Sequence, residues 1–180
     1  MISHKPIVTE RLILREVTAS DIEGMFALDS NPEVHKYLGN KPISNKNQAL
    51  SAIEFLQQQY QERGIARWAV IHKETNEFMG WSGLKYLTEP EAVNGKFNIY
   101  ELGYRFIPKF WGNGYATESA KAFVTYAFEK MQLKSIYAIA DATNKSSLRV
   151  LEKVGFKITS DFIFELDELK VNCCWLEQHR

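Results

Sequence analysis

The sequence predicts an α/β (α+β) domain, a mixed sheet flanked by helices. Hydrophobic periodicity switches repeatedly between two and 3.6 residues, and the elements read β-α-α-β-β-β-α-β-α-β-β. Apolar residues make up 45% of the 180 and aromatics 13%, which supplies a packed core and excludes a disordered chain. That length suits one domain over residues 1–180, and the five prolines are spread out rather than gathered into a linker.

The elements follow in order. Residues 9–16 alternate, with Leu12 and Leu14 on one face and Arg11, Ile13 and Arg15 on the other, as in a strand. Ser20 and Glu23 have capping-box spacing ahead of a helix carrying Ile22, Met25 and Phe26. Asn31-Pro32 ends it and starts a short helix over 33–38. Residues 45–63 form a longer helix with Ala49, Ile53, Leu56 and Tyr60 on one stripe and Gly64 as its stop. Strands are expected at 66–72, 78–87 and 98–107, with a turn at 75–77 and a polar loop around Pro90, Asn94 and Gly95. Residues 115–131 give the clearest helix, with Ala116, Ala120, Phe123, Val124, Ala127, Phe128 and Met131 on one face. A strand at 135–140 and a helix at 146–154 stopped by Gly155 come next. Strands at 156–164 and 169–176 then pair around Asp167-Glu168.

Charge and cysteine content narrow the function classes. Lys plus Arg and Asp plus Glu each number 22, so the formal net charge is zero. That argues against bulk electrostatic binding to nucleic acid or to an anionic membrane. The two cysteines, Cys173 and Cys174, are adjacent on a strand and point to opposite faces, so no bridge joins them. Residues 1–15 hold no apolar h-region, and no stretch approaches the ~18 apolar residues of a membrane span. The reading is a cytosolic, reduced, soluble domain. His4, His35, His72 and His179 lack metal-ligand spacing, so no metal is expected. Trp68, Trp81, Trp111 and Trp175 are assigned to the core, Trp81 near a cleft strand. Asp161, Glu165, Asp167 and Glu168 read as a solvated face or as an attractant for a cationic amine.

The most informative stretch is IPKFWGNGYATES at 107–119. A strand ends at Pro108, and Gly112-Asn113-Gly114 leads straight into the strongest helix. Glycines there let backbone N–H groups converge, and the helix N-terminus adds partial positive charge, so the junction suits a phosphate or pyrophosphate. A turn chosen only for its geometry is the alternative. A Walker A loop is excluded because Tyr115 and Ala116 stand where Lys and Ser/Thr are needed, and the dinucleotide fingerprint fails at Thr117.

The pattern Lys109-x-x-Gly112-x-Gly114-x-Ala116 resembles the Arg/Gln-x-x-Gly-x-Gly/Ala loop of the GNAT superfamily of acyl-CoA-dependent N-acetyltransferases, with lysine at the first position. Asn144-Lys145-Ser146-Ser147 followed by Leu151-Glu152-Lys153-Val154-Gly155-Phe156 is similar to that family's next motif. The opening Thr9-Glu10-Arg11-Leu12-Ile13-Leu14-Arg15 and the run Trp111-Gly112-x-Gly114-Tyr115-Ala116-Thr117-Glu118 resemble its RimJ/RimL-like branch, which includes enzymes that acetylate the N-termini of ribosomal proteins. The resemblance covers nearly the whole chain.

The resemblance implies a mixed, mostly antiparallel sheet of about seven strands flanked by about four helices. It implies acetyl-CoA as cosubstrate and an amine acceptor, either a protein N-terminus or a small molecule, with no nucleic-acid or membrane partner and a monomeric or homodimeric state. Backbone N–H groups of Gly112, Asn113, Gly114, Tyr115 and Ala116 would hold the pyrophosphate. The strand ending at Phe106 and Ile107 would be splayed, leaving N–H groups for the pantetheine arm and one for the thioester oxyanion. Lys109, Lys145 and Arg149 are candidates for the ribose phosphate or for plain surface. Glu101 is the candidate general base or an ordinary glutamate. Glu118 reads as a dipole or structural carboxylate. Asn144 would bond pantetheine amides or simply cap its helix. The family's usual tyrosine acid is replaced by Leu151, which leaves Ser147 as hydrogen-bond donor to the departing sulfur or as a packing serine.

Overall fold

The computed structural model describes residues 4–166 and 169–180. Among them one eight-stranded sheet runs through the molecule. Its strands are β1 (Ile7–Val8), β2 (Leu12–Glu16), β3 (Arg67–His72), β4 (Phe78–Leu87), β5 (Ile99–Phe106), β6 (Ser135–Asp141), β7 (Lys157–Leu166) and β8 (Leu169–His179). The spatial order is β1-β2-β3-β4-β5-β6-β8-β7, with every pair antiparallel except β5–β6. The helices are α1 (Ile22–Asp29), α2 (Pro32–His35), α3 (Lys46–Arg63), α4 (Tyr115–Thr125) and α5 (Lys145–Lys153). A π turn over Tyr126–Lys130 extends α4 to the length its apolar stripe predicts.

The expected elements are present, with corrections at the N-terminal end. Residues 9–16 do not make one strand: Thr9 N donates to Leu12 O and Leu12 N donates to Thr9 Oγ1, a tight turn that separates β1 from β2. The additional edge strand β1 brings the count to eight instead of about seven. The capping box is Thr18 with Asp21 rather than Ser20 with Glu23, because a 3₁₀ turn at Ala19–Asp21 precedes α1 and moves the cap back. Asp21 also takes the Arg15 guanidinium in a two-pronged pair at 2.7 and 2.8 Å. The second helix is shorter than 33–38, since after His35 the chain turns back and Asn40 N bonds His35 O. Asn45 and Gln48 form a capping box at the start of α3. β7 and β8 pair as expected, while the turn at Asp167-Glu168 lies outside the described residues.

Strand alternation sorts side chains onto two faces. Helices α4 and α5 cover the face bearing Leu12, Leu14, Trp68, Leu102, Phe106 and Ile136. Phe123 of α4 meets the Trp68 ring edge-on at 5.5 Å there. On the opposite face α1 and α3 cover the β2–β5 half. Tyr60 of α3 pins that layer, accepting from Val17 N and donating to Arg67 O. Trp68 and Trp175 are buried, whereas Trp111 is 48% exposed and does not belong to the core.

Candidate active site

The sheet opens at its centre. β4 pairs with β5 from Leu87↔Ile99 to Gly80↔Phe106, but β5 meets β6 only at Glu101↔Tyr137 among the described residues. Beyond that point the two strands part. Ile107 N donates to Met79 O at 2.9 Å, so alternate residues of β5 turn their N–H groups toward β4 and the others toward the gap. Tyr104 and Phe106 face the gap. Ile107 does not: its N–H is already taken, and the expectation of a free N–H there is corrected. Trp111 Nε1 reaches the Phe106 carbonyl at 2.7 Å and lies across the far end of the opening.

The glycine loop borders the same opening. Gly112 and Gly114 have φ of 76° and 80°. A Cβ at Gly112 would meet nothing within 4 Å, and one at Gly114 only Arg11 Nη2 at 3.6 Å. Glycine is therefore demanded by backbone hand, not by crowding. No side chain caps α4. Glu118 N takes Gly114 O, so the first-turn N–H groups of Tyr115, Ala116 and Thr117 lack intrahelical acceptors and emerge at the positive end of the helix. That arrangement fits an anion. Asn113 folds its amide back onto Trp111 O at 2.9 Å and offers only backbone.

A brace that sequence reasoning missed holds this loop. Arg11 Nη1 donates to Asn113 O at 3.0 Å, Arg11 Nε to Glu118 Oε2 at 2.7 Å, and Arg11 N and Thr9 Oγ1 to Glu118 Oε1 at 2.9 and 2.7 Å. The guanidinium also lies 4.4 Å from the Tyr115 ring centroid. Glu118 is thus structural. Burial by itself would raise its carboxyl pKa, but the hydrogen bonds from Thr9 and Arg11 and the Arg11 charge outweigh burial and hold it below the ordinary range. A depressed folded value means stability that is full above the unfolded pKa and is lost as pH falls through the folded one. Glu118→Gln is expected to cost about 1–3 kcal/mol at neutral pH, the usual size for hydrogen bonds to a charged group. The gap between wild type and variant should begin to narrow as pH drops below ~4.5 and go on closing toward the lower folded pKa; denaturant melts stepped down in pH from ~7 check this.

A groove of about 690 Å³ runs beside the loop, lined by Thr9, Gly114, Thr117, Glu118, Lys121 and Lys153 among others. Its cations are Lys121 and Lys153. The sequence candidates sit elsewhere: Lys109 pairs with Glu77 and stacks on Phe110, Lys145 Nζ bonds Ala142 O, and Arg149 is exposed on α5.

Glu101 lies on the α1/α3 face, buried, with its Oε2 paired to Arg67. Arg67 Nη1 also donates to Gly83 O and Glu101 O at 2.5 and 2.7 Å. The guanidinium lies flat across β4 and β5 because residue 103 is glycine: a Cβ there would stand 2.7 Å from Arg67 Nη2. Among the described residues nothing hydrogen-bonds Glu101 Oε1. On the opposite face of the same opening is α5. Asn144 caps it, accepting from Ser147 N at 3.1 Å and Ser146 Oγ at 2.8 Å. Ser147 Oγ stands 3.1 Å from the Tyr104 hydroxyl, which also donates to Ser147 O at 3.0 Å. Burial pushes the Tyr104 phenol far above its ordinary pKa, so it keeps its proton. Tyr104 was not singled out from sequence; its place on β5 three residues after Glu101, hence on the opposite face, was the available signal. Cys173 and Cys174 are both free and buried, and burial pushes Cys173 up to about 11. Asp161 and Glu165 are exposed on β7, with Glu165 3.4 Å from Lys170.

Comparison with known proteins finds acetyltransferases. Residues 11–157 match the family model described as an acetyltransferase (GNAT) domain. The chain is 37% identical over 149 residues to the uncharacterized N-acetyltransferase YoaA of Bacillus subtilis (strain 168), covering 83% of this chain and 81% of that one. It is 24% identical over 152 residues to spermidine N(1)-acetyltransferase of Escherichia coli (strain K12), covering 84% and 76%. Its fold superposes with a TM-score of 0.81 on RimL, a ribosomal L7/L12 alpha-N-protein acetyltransferase in complex with coenzyme A, at 15% identity over 97% of this chain and 98% of that one.

Proposed function

The chain belongs to the acetyltransferase (GNAT) domain family and is an N-acetyltransferase, and we propose that it moves the acetyl group of acetyl-CoA directly onto a primary amine, by preference a protein N-terminal α-amine. The observation that carries this reading is the parting of β5 and β6 beside an uncapped, glycine-led helix. Backbone N–H groups at Gly112, Gly114, Tyr115 and Ala116 would hold the pyrophosphate, and the free edge of β5 at Tyr104 and Phe106 would pair with the amide-bearing arm. Acetyl-CoA supplies an activated thioester.

The residues then divide the remaining work by face. Glu101 Oε1 is the acceptor for the amine's proton, taken directly or through a water, while Arg67 fixes the carboxylate's orientation. An α-amine, pKa ~7.7–8.0, asks less of such a base than a lysine-like amine of ~10.4 does. No enzyme nucleophile is required, in keeping with a buried Cys173 that stays a thiol. On the α5 side Ser147 donates a hydrogen bond to the departing sulfur, its proton free when Tyr104, 3.1 Å away, turns its own hydroxyl proton onto Ser147 Oγ. The RimJ/RimL-like run over 111–118 supports the choice of an N-terminal acceptor. The same reading keeps the enzyme in the cytosol.

Ser147→Ala is expected to slow transfer about tenfold, the effect of one ordinary hydrogen bond of ~1 kcal/mol. A loss beyond about a thousandfold, measured as thiol release, would make Ser147 a true acid. The acceptor class is tested by offering peptides with varied N-termini beside small amines and following acetylation by mass. Peptide α-amines should lead.

A further inference from the structure

Beside Glu101, on the α1/α3 face, lies a cavity of about 340 Å³ whose walls differ in character. Helices α1 and α3 contribute Met25, Ala52, Phe55 and Leu56, an apolar wall. The sheet contributes Arg67, Trp81, Lys85 and Arg105. Trp81 is flanked by two guanidinium groups, Arg105 at 4.9 Å and Arg67 at 5.4 Å from its rings. The strand register orders the cations. Arg105 stands in the row Trp81↔Arg105, Arg67 lies over the row Gly83↔Gly103, and Lys85 stands in the row Lys85↔Glu101. Same-face rows are about 6.6 Å apart, so three cations line the strand pair at near-regular intervals.

Their counter-ions do not exhaust them. Asp29, the one carboxylate in the cavity wall, takes Nη1 of Arg105 at 2.5 Å and lies 3.9 Å from His35 Nε2. Glu91 takes Lys85 at 2.8 Å but is shared with Arg63 at 2.6 Å. Glu101 takes Arg67. Arg63, Arg67, Lys85 and Arg105 therefore face three carboxylates, one positive charge in excess. Arg105 and Lys85 retain unused donors. The excess grows during the reaction, because a proton on Glu101 leaves the nearly buried Arg67 without its counter-charge.

We propose that this cavity selects an acceptor carrying a carboxylate near its amine, seated on Lys85 in the Glu101 row, with Arg105 two rows away adding longer-range attraction and the acceptor's apolar part against Phe55 and Leu56. The proposal rests on the acetyl-transfer reading above and narrows it: the acceptor is an acidic amine, such as a peptide whose second residue is acidic or a free amino acid, and not a polycation. Two strongly basic guanidinium groups and an ammonium lining one small cavity repel a polyamine, and this is a discriminating term as well as an attractive one. The anionic group also offsets the negative charge that Glu101 loses on taking the proton.

The test uses acetyl-CoA with three peptides identical except at position two, Ser-Glu, Ser-Gln and Ser-Lys, together with leucine, leucinamide and spermidine. The Ser-Glu peptide should exceed Ser-Gln by about tenfold in kcat/KM, with Ser-Lys and spermidine lowest, the size expected of one partly screened charge pair. Leucine ahead of leucinamide with flat peptide rates would identify a free amino acid as the source of the carboxylate. Lys85→Gln should shrink the Glu-to-Gln ratio severalfold, read as the ratio of kcat/KM for the two peptides within the variant. Raising salt should shrink it in wild type as well, which keeps the test sound if the variant folds poorly. Equal rates across the three peptides together with equal rates for leucine and leucinamide, or spermidine as the best acceptor, would overturn the proposal while leaving acetyl transfer intact. Turnover of none of these amines would overturn both.

Discussion

Glu101→Gln is expected to lower kcat/KM by about 10²–10⁴ at pH 7, the usual contribution of a positioned general base. The amide keeps the size of the side chain and still accepts from Arg67, so the flat guanidinium across Gly83 and Gly103 retains a partner. It cannot take a proton. Activity should recover as pH approaches the acceptor's own pKa, where solvent removes that proton: near pH 8 for an α-amine and about pH 10 for a lysine-like amine. The pH–rate profile of the variant thus reads base and acceptor class together. Arg67 loses its counter-charge in this variant, so a lower melting temperature is expected too, and rates are to be compared where both proteins are folded. Identical rates for wild type and variant at every pH would make Glu101 a purely structural partner of Arg67.

Gly114→Val should weaken acetyl-CoA binding by roughly a hundredfold, equivalent to one or two charge-assisted hydrogen bonds from backbone N–H groups. Gly114 holds φ of 80°, where a β-branched residue is strained by about 1–3 kcal/mol. Relieving that strain re-aims the first turn of α4. Space is not the obstacle, since the nearest atom to a new Cβ is Arg11 Nη2 at 3.6 Å, so the chain should still fold. Calorimetry with acetyl-CoA, beside circular dichroism, separates the two effects. Unchanged affinity in a folded variant would contradict the assignment of the loop.

What was legible in the sequence follows from what is local. The helix of residues 115–131 declares itself through a strong apolar period, and Asn45 and Gly64 mark the ends of α3 by side-chain and backbone chemistry. The N-terminal boundary was misread because Ser20/Glu23 and Thr18/Asp21 both satisfy the capping spacing. The structure uses the pair whose carboxylate also meets Arg15. Residues 9–11 look like strand, but Thr9 and Arg11 serve Glu118, more than a hundred positions away. No local pattern encodes such a brace. For the same reason Glu101 and Ser147 were named from motifs, while Arg67 and Tyr104, which hold them, were not. Gly103 is the position that lets Arg67 cross the sheet, and nothing local to residue 103 signals that contact. Lys109 drew attention by motif spacing, yet Glu77 from the β3–β4 turn takes its charge, a pairing set by tertiary structure alone.

The most direct measurement is thiol release from acetyl-CoA in the presence of a panel of peptide α-amines and small amines, with mass spectrometry of the acceptors. The account predicts thiol release that depends on an amine, matched mole for mole by one acetyl group on that amine, and fastest with a peptide N-terminus. Thiol release that no amine accelerates, or acetylation confined to polyamines, would contradict it.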